Sequence, residues 1–280
     1  MRILNDEIIQ GALSCPLCHS EMSVQGASLV CQGARKHCFD FASGGYVNLC
    51  APRQSGGGDS KQAVRARTEF LNKQYYLPVA KAIAELVSEF APKDAPVLDG
   101  GCGEGYYSCT VAREGYSVIG VDLSKFATDA AAKRAARDGL DNAFFATASV
   151  FELPVKDRSL GALISVFAPC AAEHFATKLA EDGCLIVAAA GEDHLLGLKR
   201  AIYSDVHVNT ERADMPADMK MVAQRRVSYS IEVVGNADVQ SLFAMTPYYW
   251  RTSPQDAEKL ASVERLTTEV DVVLSVYKIK

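Results

Sequence analysis

Residues 97–108 read "VLDGGCGEGYYS", Val97 to Ser108. A short apolar run that ends in an acid and then breaks into glycines is the pattern of a buried parallel strand entering a turn. Gly101, Gly103 and Gly105 recur at every second position. Glycines there let the backbone approach a ligand closely, and the helix that follows offers free N–H groups. The spacing is G-x-G-x-G and not the G-x-G-x-x-G of dinucleotide sites, so a ligand without a pyrophosphate is favoured. The next strand, "YSVIGVDLS", ends at Asp122. An acid at that place can accept both hydroxyls of a ribose.

Working outward, strands and helices alternate. "SKFATDAAAKRAARDG" reads as a helix with Ser124 as N-cap and Gly139 as its stop. "NAFFATAS", "LGALISVFAPC" and "GCLIVAAAG" read as the third to fifth strands, with a helix near "HLLGLKRAIY". Upstream, residues 61–90 place apolar residues at helical spacing, with a break at Pro78. Two late strands, "RVSYSIEVVG" and "TEVDVVLSVYKIK", fit a closing antiparallel pair. The expected fold class is α/β, with an open, mostly parallel sheet closed by an antiparallel strand. "APRQSGGGDSKQ" reads as a flexible linker or active-site loop. The expected organisation is residues 1–50 as a small N-terminal domain, 51–60 as linker and 61–280 as the main domain.

The chain has 280 residues, of which 49% are hydrophobic, so it can bury a substantial core and is not a disordered chain. Its net charge of −5 argues against a nucleic-acid binder. The distribution argues the other way. Cys31 to Lys81 holds eight Lys/Arg against three acids, about +5, which leaves about −10 for the rest. No apolar run reaches the roughly 18–20 residues of a membrane span. "MRILNDEIIQ" has no signal-like apolar core, so the cytoplasm is the expected location. Nine cysteines in a reducing compartment are buried, metal-bound or reactive rather than a disulfide framework.

Four of them stand together. Cys15 and Cys18 form C-x2-C, Cys31 follows, and His37 and Cys38 come next. Zn²⁺ takes four soft or borderline ligands in a tetrahedron, and three cysteines with a histidine supply them. A short segment poor in large apolar side chains needs such a staple to fold. Spacing alone leaves the fourth ligand between His37 and Cys38, with His19 more remote.

The glycine loop, preceded by Asp99 and followed by Asp122, resembles the S-adenosylmethionine site of the Rossmann-like methyltransferases. The resemblance implies cofactor contacts at Asp99, Gly101, Gly103, Glu104, Gly105, Tyr106 and Asp122. It also implies a polar residue beside the adenine, for which "TASVFELP" offers Ser149. Further segments carry a narrower resemblance: "CPLC", "HCFDFASGGYVNL", "GDSKQAVRARTEFLNKQYYLP", "FAPC", "HLLGLK" and "MTPYYW". In content and order they resemble the bacterial 23S rRNA (guanine-N1)-methyltransferases that begin with a zinc ribbon. That family implies zinc ligands at Cys15, Cys18, Cys31 and His37, with Gln32–Lys36 lengthening the last gap. It implies further cofactor contacts at Tyr76 and His194, and a 23S rRNA hairpin as partner. Two neighbouring guanosines are methylated within the family, one of them in association with macrolide resistance, and the sequence leaves both open. It also leaves open a homodimer.

The chemistry assigns roles. Methyl transfer from a sulfonium needs chiefly proximity and alignment. Guanine N1 must lose a proton, for which Glu173, His174 and His194 are the available bases. Phe167 and Pro169 in "FAPC" are expected to line the target pocket, with Phe167 stacking a flipped base. Tyr248, Tyr249 and Trp250 are candidates to stack neighbouring bases. Arg35, Lys36, Arg53, Arg65 and Arg67 are candidates for phosphate contacts. Two rivals remain: a C5-cytosine RNA methyltransferase with Cys170 as nucleophile, and a non-catalytic, zinc-dependent RNA-binding protein with a degenerate methyltransferase fold.

Overall fold

Asp6 caps a helix: its carboxylate accepts the N–H groups of Ile8 and Ile9 and begins α1 (Glu7–Ala12). The computed structural model describes residues 6–50, 58–206, 208–209 and 218–280. After α1, β1 (Met22–Gln25), β2 (Ser28–Cys31) and β3 (Cys38–Asp40) form a three-stranded antiparallel sheet. The chain then contributes β4 (Val47–Asn48), which leaves this small sheet and pairs in parallel with a strand of the large one.

Most of the expected linker, residues 51–57, lies outside the described residues. Ser60 caps α2 (Lys61–Leu71), and α3 (Leu77–Phe90) follows. The helical break expected at Pro78 falls earlier, at residues 72–76, where Gln74 turns with φ +64°. Pro78 sits in the first turn of α3 instead, where its missing N–H is no loss.

Then come β5 (Val97–Gly100), α4 (Tyr106–Arg113), β6 (Val118–Asp122), α5 (Lys125–Arg137), β7 (Ala143–Thr147), β8 (Leu160–Val166), α6 (Ala172–Lys178) and β9 (Leu179–Ala190). The chain ends with α7 (Leu196–Ile202), β10 (Met219–Val234), α8 (Asn236–Ala244), a 3-10 turn at Pro247–Trp250, α9 (Pro254–Glu258) and β11 (Arg265–Ile279). The large sheet has the order β10-β11-β9-β8-β5-β6-β7-β4. It is parallel from β9 to β4, and β11 and β10 close it antiparallel. The strand order reverses between β5 and β8, and ligands of open α/β sheets bind at the carboxyl ends of strands beside such a switch.

One face of the sheet is covered by α3 and its neighbours, with Phe70, Ile83, Leu86, Val97, Ile164 and Leu274 in a common core. The other face packs against the N-terminal segment. Ile9, Leu13, Met22, Leu29 and Phe41 share one apolar cluster with Leu98, Ile119, Phe144, Val155 and Phe175. Lys156 pairs with Glu21 at 2.7 Å across the same boundary. The small sheet is therefore seated on the body and not strung beside it. No described helix is long and apolar enough to cross a membrane.

Candidate active site and metal centre

Cys15 and Cys18 flank a tight knuckle, Cys31 ends β2 and His37 precedes β3. Their ligand atoms lie within 4.8 Å of one another. His37 Nδ1 is 3.5 Å from the Sγ atoms of Cys15, Cys18 and Cys31 alike, and the Sγ atoms of Cys18 and Cys31 are 3.8 Å apart. Zn–S bonds of about 2.3 Å and a Zn–N bond of about 2.0 Å at tetrahedral angles give edges of about 3.5 Å and about 3.8 Å. The donor set therefore fits zinc in both chemistry and size. Cys38 is exposed and its Sγ points to Asp40, 3.9 Å away, so His37 holds the fourth corner. The longer gap is absorbed in a turn. Lys36 has φ +50°, and a Cβ on Gly33 would meet the Ser20 hydroxyl at 2.7 Å and Cys18 Sγ at 3.1 Å. The His37 N–H also donates to Cys31 Sγ at 3.1 Å.

At the end of β5 the carboxyl of Asp99 is buried. Ser108 donates to Oδ2 at 2.5 Å, and Oδ1 has no partner. Burial pushes this carboxyl up to about 7, against the Ser108 hydrogen bond and helped by Asp122 and Glu104. Gly101, Gly103 and Gly105 all turn with positive φ. A Cβ on Gly101 would meet Ala168 at 2.7 Å, so the Phe167–Cys170 loop lies directly against the glycine loop. Asp122 accepts the N–H groups of Gly103 at 3.0 Å and Ser124 at 2.8 Å, which ties the ends of β5 and β6 together.

The Glu104 carboxylate is ion-paired with buried Arg134, which anchors α5 to the glycine loop. Arg134 also stands over the Tyr106 ring, whose hydroxyl is buried without a partner. Ser149 is buried behind β7, and its Oγ accepts the Phe151 N–H at 3.2 Å.

Tyr76, Phe167 and His194 come together from three distant segments. The Tyr76 hydroxyl is 3.3 Å from His194 Nε2, and the Phe167 ring stacks on the imidazole at 5.2 Å. Phe167 is held at φ +52°, a costly conformation for a side-chain-bearing residue, and is 46% exposed. His194 Nδ1 accepts the Asp271 N–H at 3.2 Å. Burial pushes the imidazole down to about 4, so it is neutral near pH 7. The ring proton then sits on Nε2 and faces the Tyr76 oxygen. With one nitrogen accepting and the other protonated, the imidazole offers no free lone pair in this arrangement.

The comparisons bear on this geometry at both ends. A family model described as "RlmA, N-terminal" matches residues 13–55, and a methyltransferase-domain model matches residues 97–182. A Streptomyces fradiae protein named 23S rRNA (guanine(748)-N(1))-methyltransferase is 29% identical over 263 residues, covering 90% of each chain. A Micromonospora griseorubida protein with the provisional name 23S rRNA (guanine-N(1)-)-methyltransferase is 28% identical over 295 residues, covering 94% of this chain and 95% of its own. The chain thus carries a segment similar to the RlmA-type N-terminal zinc ribbon, followed by a methyltransferase domain. Among solved structures, the YcgJ protein of Bacillus subtilis aligns with a TM-score of 0.47 at 14% identity, covering 72% of this chain and 98% of its own.

The methyltransferase-domain match makes S-adenosylmethionine the cofactor, and the ribbon match with its cluster of three cysteines and a histidine makes zinc the structural metal. The cleft fits the cofactor on its own terms. The orphaned Asp99 oxygen suits an ammonium, the glycine cradle suits a closely held chain, and Asp122 stands where a ribose is held. Segment 58–67 frames this rim of the methyltransferase. Ser124 Oγ donates to the Asp59 carbonyl at 2.7 Å, and Asp59 pairs with Arg67 at 2.5 Å.

The remaining candidates spread outward. Glu173 is exposed in the first turn of α6, directly after the Phe167–Cys170 loop. His174 Nε2 accepts the Leu153 N–H at 3.2 Å, which occupies its lone pair. Pro169 is exposed, whereas Cys170 packs at the edge of the apolar cluster around Phe175. Trp250 is 70% exposed beside Tyr249, while Tyr248 turns inward to Asn209 at 3.3 Å. Of the basic candidates, Arg35 and Lys36 are exposed on the ribbon. Arg65 and Arg67 are ion-paired to Glu69 and Asp59, which reduces their offer to phosphate, and Arg53 lies outside the described residues.

Three structural partners were missed in the sequence: Ser108, Arg134 and Asp271. Asp271 had a signal, as an acid in the otherwise apolar run "VDVVLSV".

Proposed function

We propose that the chain transfers the methyl group of S-adenosylmethionine to N1 of a guanosine in a 23S rRNA hairpin, in the cytoplasm. The observation that carries this reading is the junction of two loops. The Phe167–Cys170 loop touches the glycine loop at Gly101, and Phe167 lies on His194 while remaining half exposed. A flipped guanine stacked on Phe167 thus lies beside the cofactor cleft, with Pro169 at the rim. When bound, the cofactor supplies an electrophilic methyl group on a sulfonium.

The protein aligns the two reactants and holds protons in place. Tyr76 is kept protonated by burial, and its oxygen accepts from His194, so its own hydrogen is directed to another partner. The guanine N1 proton leaves to Glu173, the base candidate whose lone pairs no backbone N–H occupies among those described. The ribbon of residues 1–50, with Arg35 and Lys36, grips phosphate, residues 51–60 link it, and residues 61–280 carry the chemistry. Tyr249 and Trp250 form a stacking ledge for neighbouring bases.

Cys170 separates this reading from the C5-cytosine rival. A nucleophilic thiolate wants an electropositive, accessible setting, and Cys170 packs against apolar side chains instead. Cys170→Ala should keep methyltransferase activity on 23S rRNA within several-fold. The digested product should contain 1-methylguanosine and no 5-methylcytidine. Complete loss of activity together with 5-methylcytidine in the wild-type product would promote the rival.

A further inference from the structure

We propose that Asp271 and Arg226 are positioning residues that set the His194–Tyr76 pair from beneath, an inference that rests on the methyltransfer reading of this cleft. Residues 191–198 leave β9 and are laid along β11 by a series of bonds. Gly191 N–H donates to the Asp271 carbonyl at 2.8 Å and Leu195 N–H to the Glu269 carbonyl at 2.7 Å. Gly197 N–H reaches the Glu269 carboxylate at 3.0 Å and Leu198 N–H the Thr268 hydroxyl at 3.2 Å. Asp271 stands at the centre. Its own N–H fixes His194 Nδ1, and its Oδ2 takes the Asp193 N–H at 3.1 Å.

The Asp271 side chain is fully buried, and such a carboxylate needs a counter-charge. Arg226 on β10 supplies it as a two-pronged fork, Nε to Oδ1 at 2.7 Å and Nη2 to Oδ2 at 2.8 Å. The fit leaves no slack: a Cβ on residue 191 would collide with Asp271 Oδ2, so Gly191 is required. From the other side Asn209 Nδ2 donates to the carbonyls of Gly191 at 3.0 Å and His194 at 2.9 Å. A fork fixes both distance and angle, which a point charge does not. Residue 271 therefore cannot shift without taking the imidazole with it, and the imidazole sets the Tyr76 oxygen.

The test uses the full-length zinc protein, Arg226→Gln, and Arg226→Lys, which keeps the charge without the fork. S-adenosylhomocysteine affinity is measured by calorimetry, and the His194 ring nitrogens by NMR of histidine-¹⁵N protein. The wild type should show His194 as the single Nε2–H tautomer. Arg226→Gln should bind S-adenosylhomocysteine at least tenfold more weakly and show mixed or shifted His194 nitrogens, with Arg226→Lys in between. Unchanged affinity and unchanged His194 signals in folded Arg226→Gln would overturn the proposal, even if its melting temperature fell. If the wild type itself binds no S-adenosylhomocysteine, the methyltransfer reading fails, and the His194 spectra still decide whether Arg226 positions the ring.

Discussion

Asp99 sets the charge balance of the cleft. Its folded carboxyl sits at about 7, above the model-compound range near 3.9. The ionised form is the disfavoured one, so the stability cost is absent below about 3.9, grows as pH rises from there, and is complete above about 7. A cationic group beside the orphaned oxygen reverses that preference. Binding of S-adenosylhomocysteine should therefore expel part of a proton near pH 7 and tighten from roughly pH 6 to pH 8. Calorimetry in buffers of different ionisation enthalpy reads this directly. No proton release, or release that survives Asp99→Asn, would contradict it. Asp122, proposed above to hold the ribose, also accepts two backbone N–H groups. Asp122→Ala should weaken the same ligand by about 1.5–3 kcal/mol or more, the scale of a hydrogen bond to a charge. Equal affinity in a folded variant would remove Asp122 from the site. At the metal, zinc should be lost in His37→Ala and retained at one per chain in Cys38→Ala. The reverse result by metal analysis would move the fourth ligand.

Elements that carry a local signal were readable in the sequence, and those that depend on distant partners were not. The glycine loop, the Ser124 cap and the cysteine knuckle each announce themselves within a few residues, and the structure places them so. The length of β10 was not readable. It runs Met219–Val234, but its first half is exposed at the edge of the sheet, so the apolar alternation that marks a strand is missing there. The fork of Arg226 on Asp271 and the bond from Asp271 to His194 join separate strands and a loop, and no spacing rule links them. The 3-10 turn at Pro247–Trp250 shows the same limit in reverse. Three adjacent aromatics looked alike in sequence, yet Tyr248 is drawn in by Asn209 while Trp250 is left outside. Trp250→Ala should weaken hairpin RNA binding by about 1–3 kcal/mol, the scale of one stacked base, and leave S-adenosylhomocysteine affinity unchanged. Fluorescence anisotropy with a labelled hairpin that shows no loss would remove the ledge from the RNA path.

For the molecule as a whole, the ribbon and the body share a core. Cys15 and Cys31 lie in the same apolar cluster as Phe144, Leu163 and Phe175, and β4 extends the large sheet. The two-part composition of the sequence was legible, but this seating was not, because the ribbon's few apolar residues gave no sign of what they would pack against. Structural zinc in small domains contributes on the order of 10 kcal/mol to folding. Its loss should therefore reach the body. Chelation should lower the melting temperature of the entire chain in one transition, and separate melting of an unperturbed body would contradict the shared core.

A methyl group on guanine N1 blocks Watson–Crick pairing, so the product of the assembled molecule can be read on the RNA itself. The most direct measurement is reverse transcription across 23S rRNA incubated with the protein and S-adenosylmethionine. A new stop should appear at one hairpin guanosine, depend on the cofactor, and fade with Asp122→Ala at limiting cofactor. Transfer of label from the cofactor to RNA without any such stop, or with the label on cytosine, would contradict the assignment.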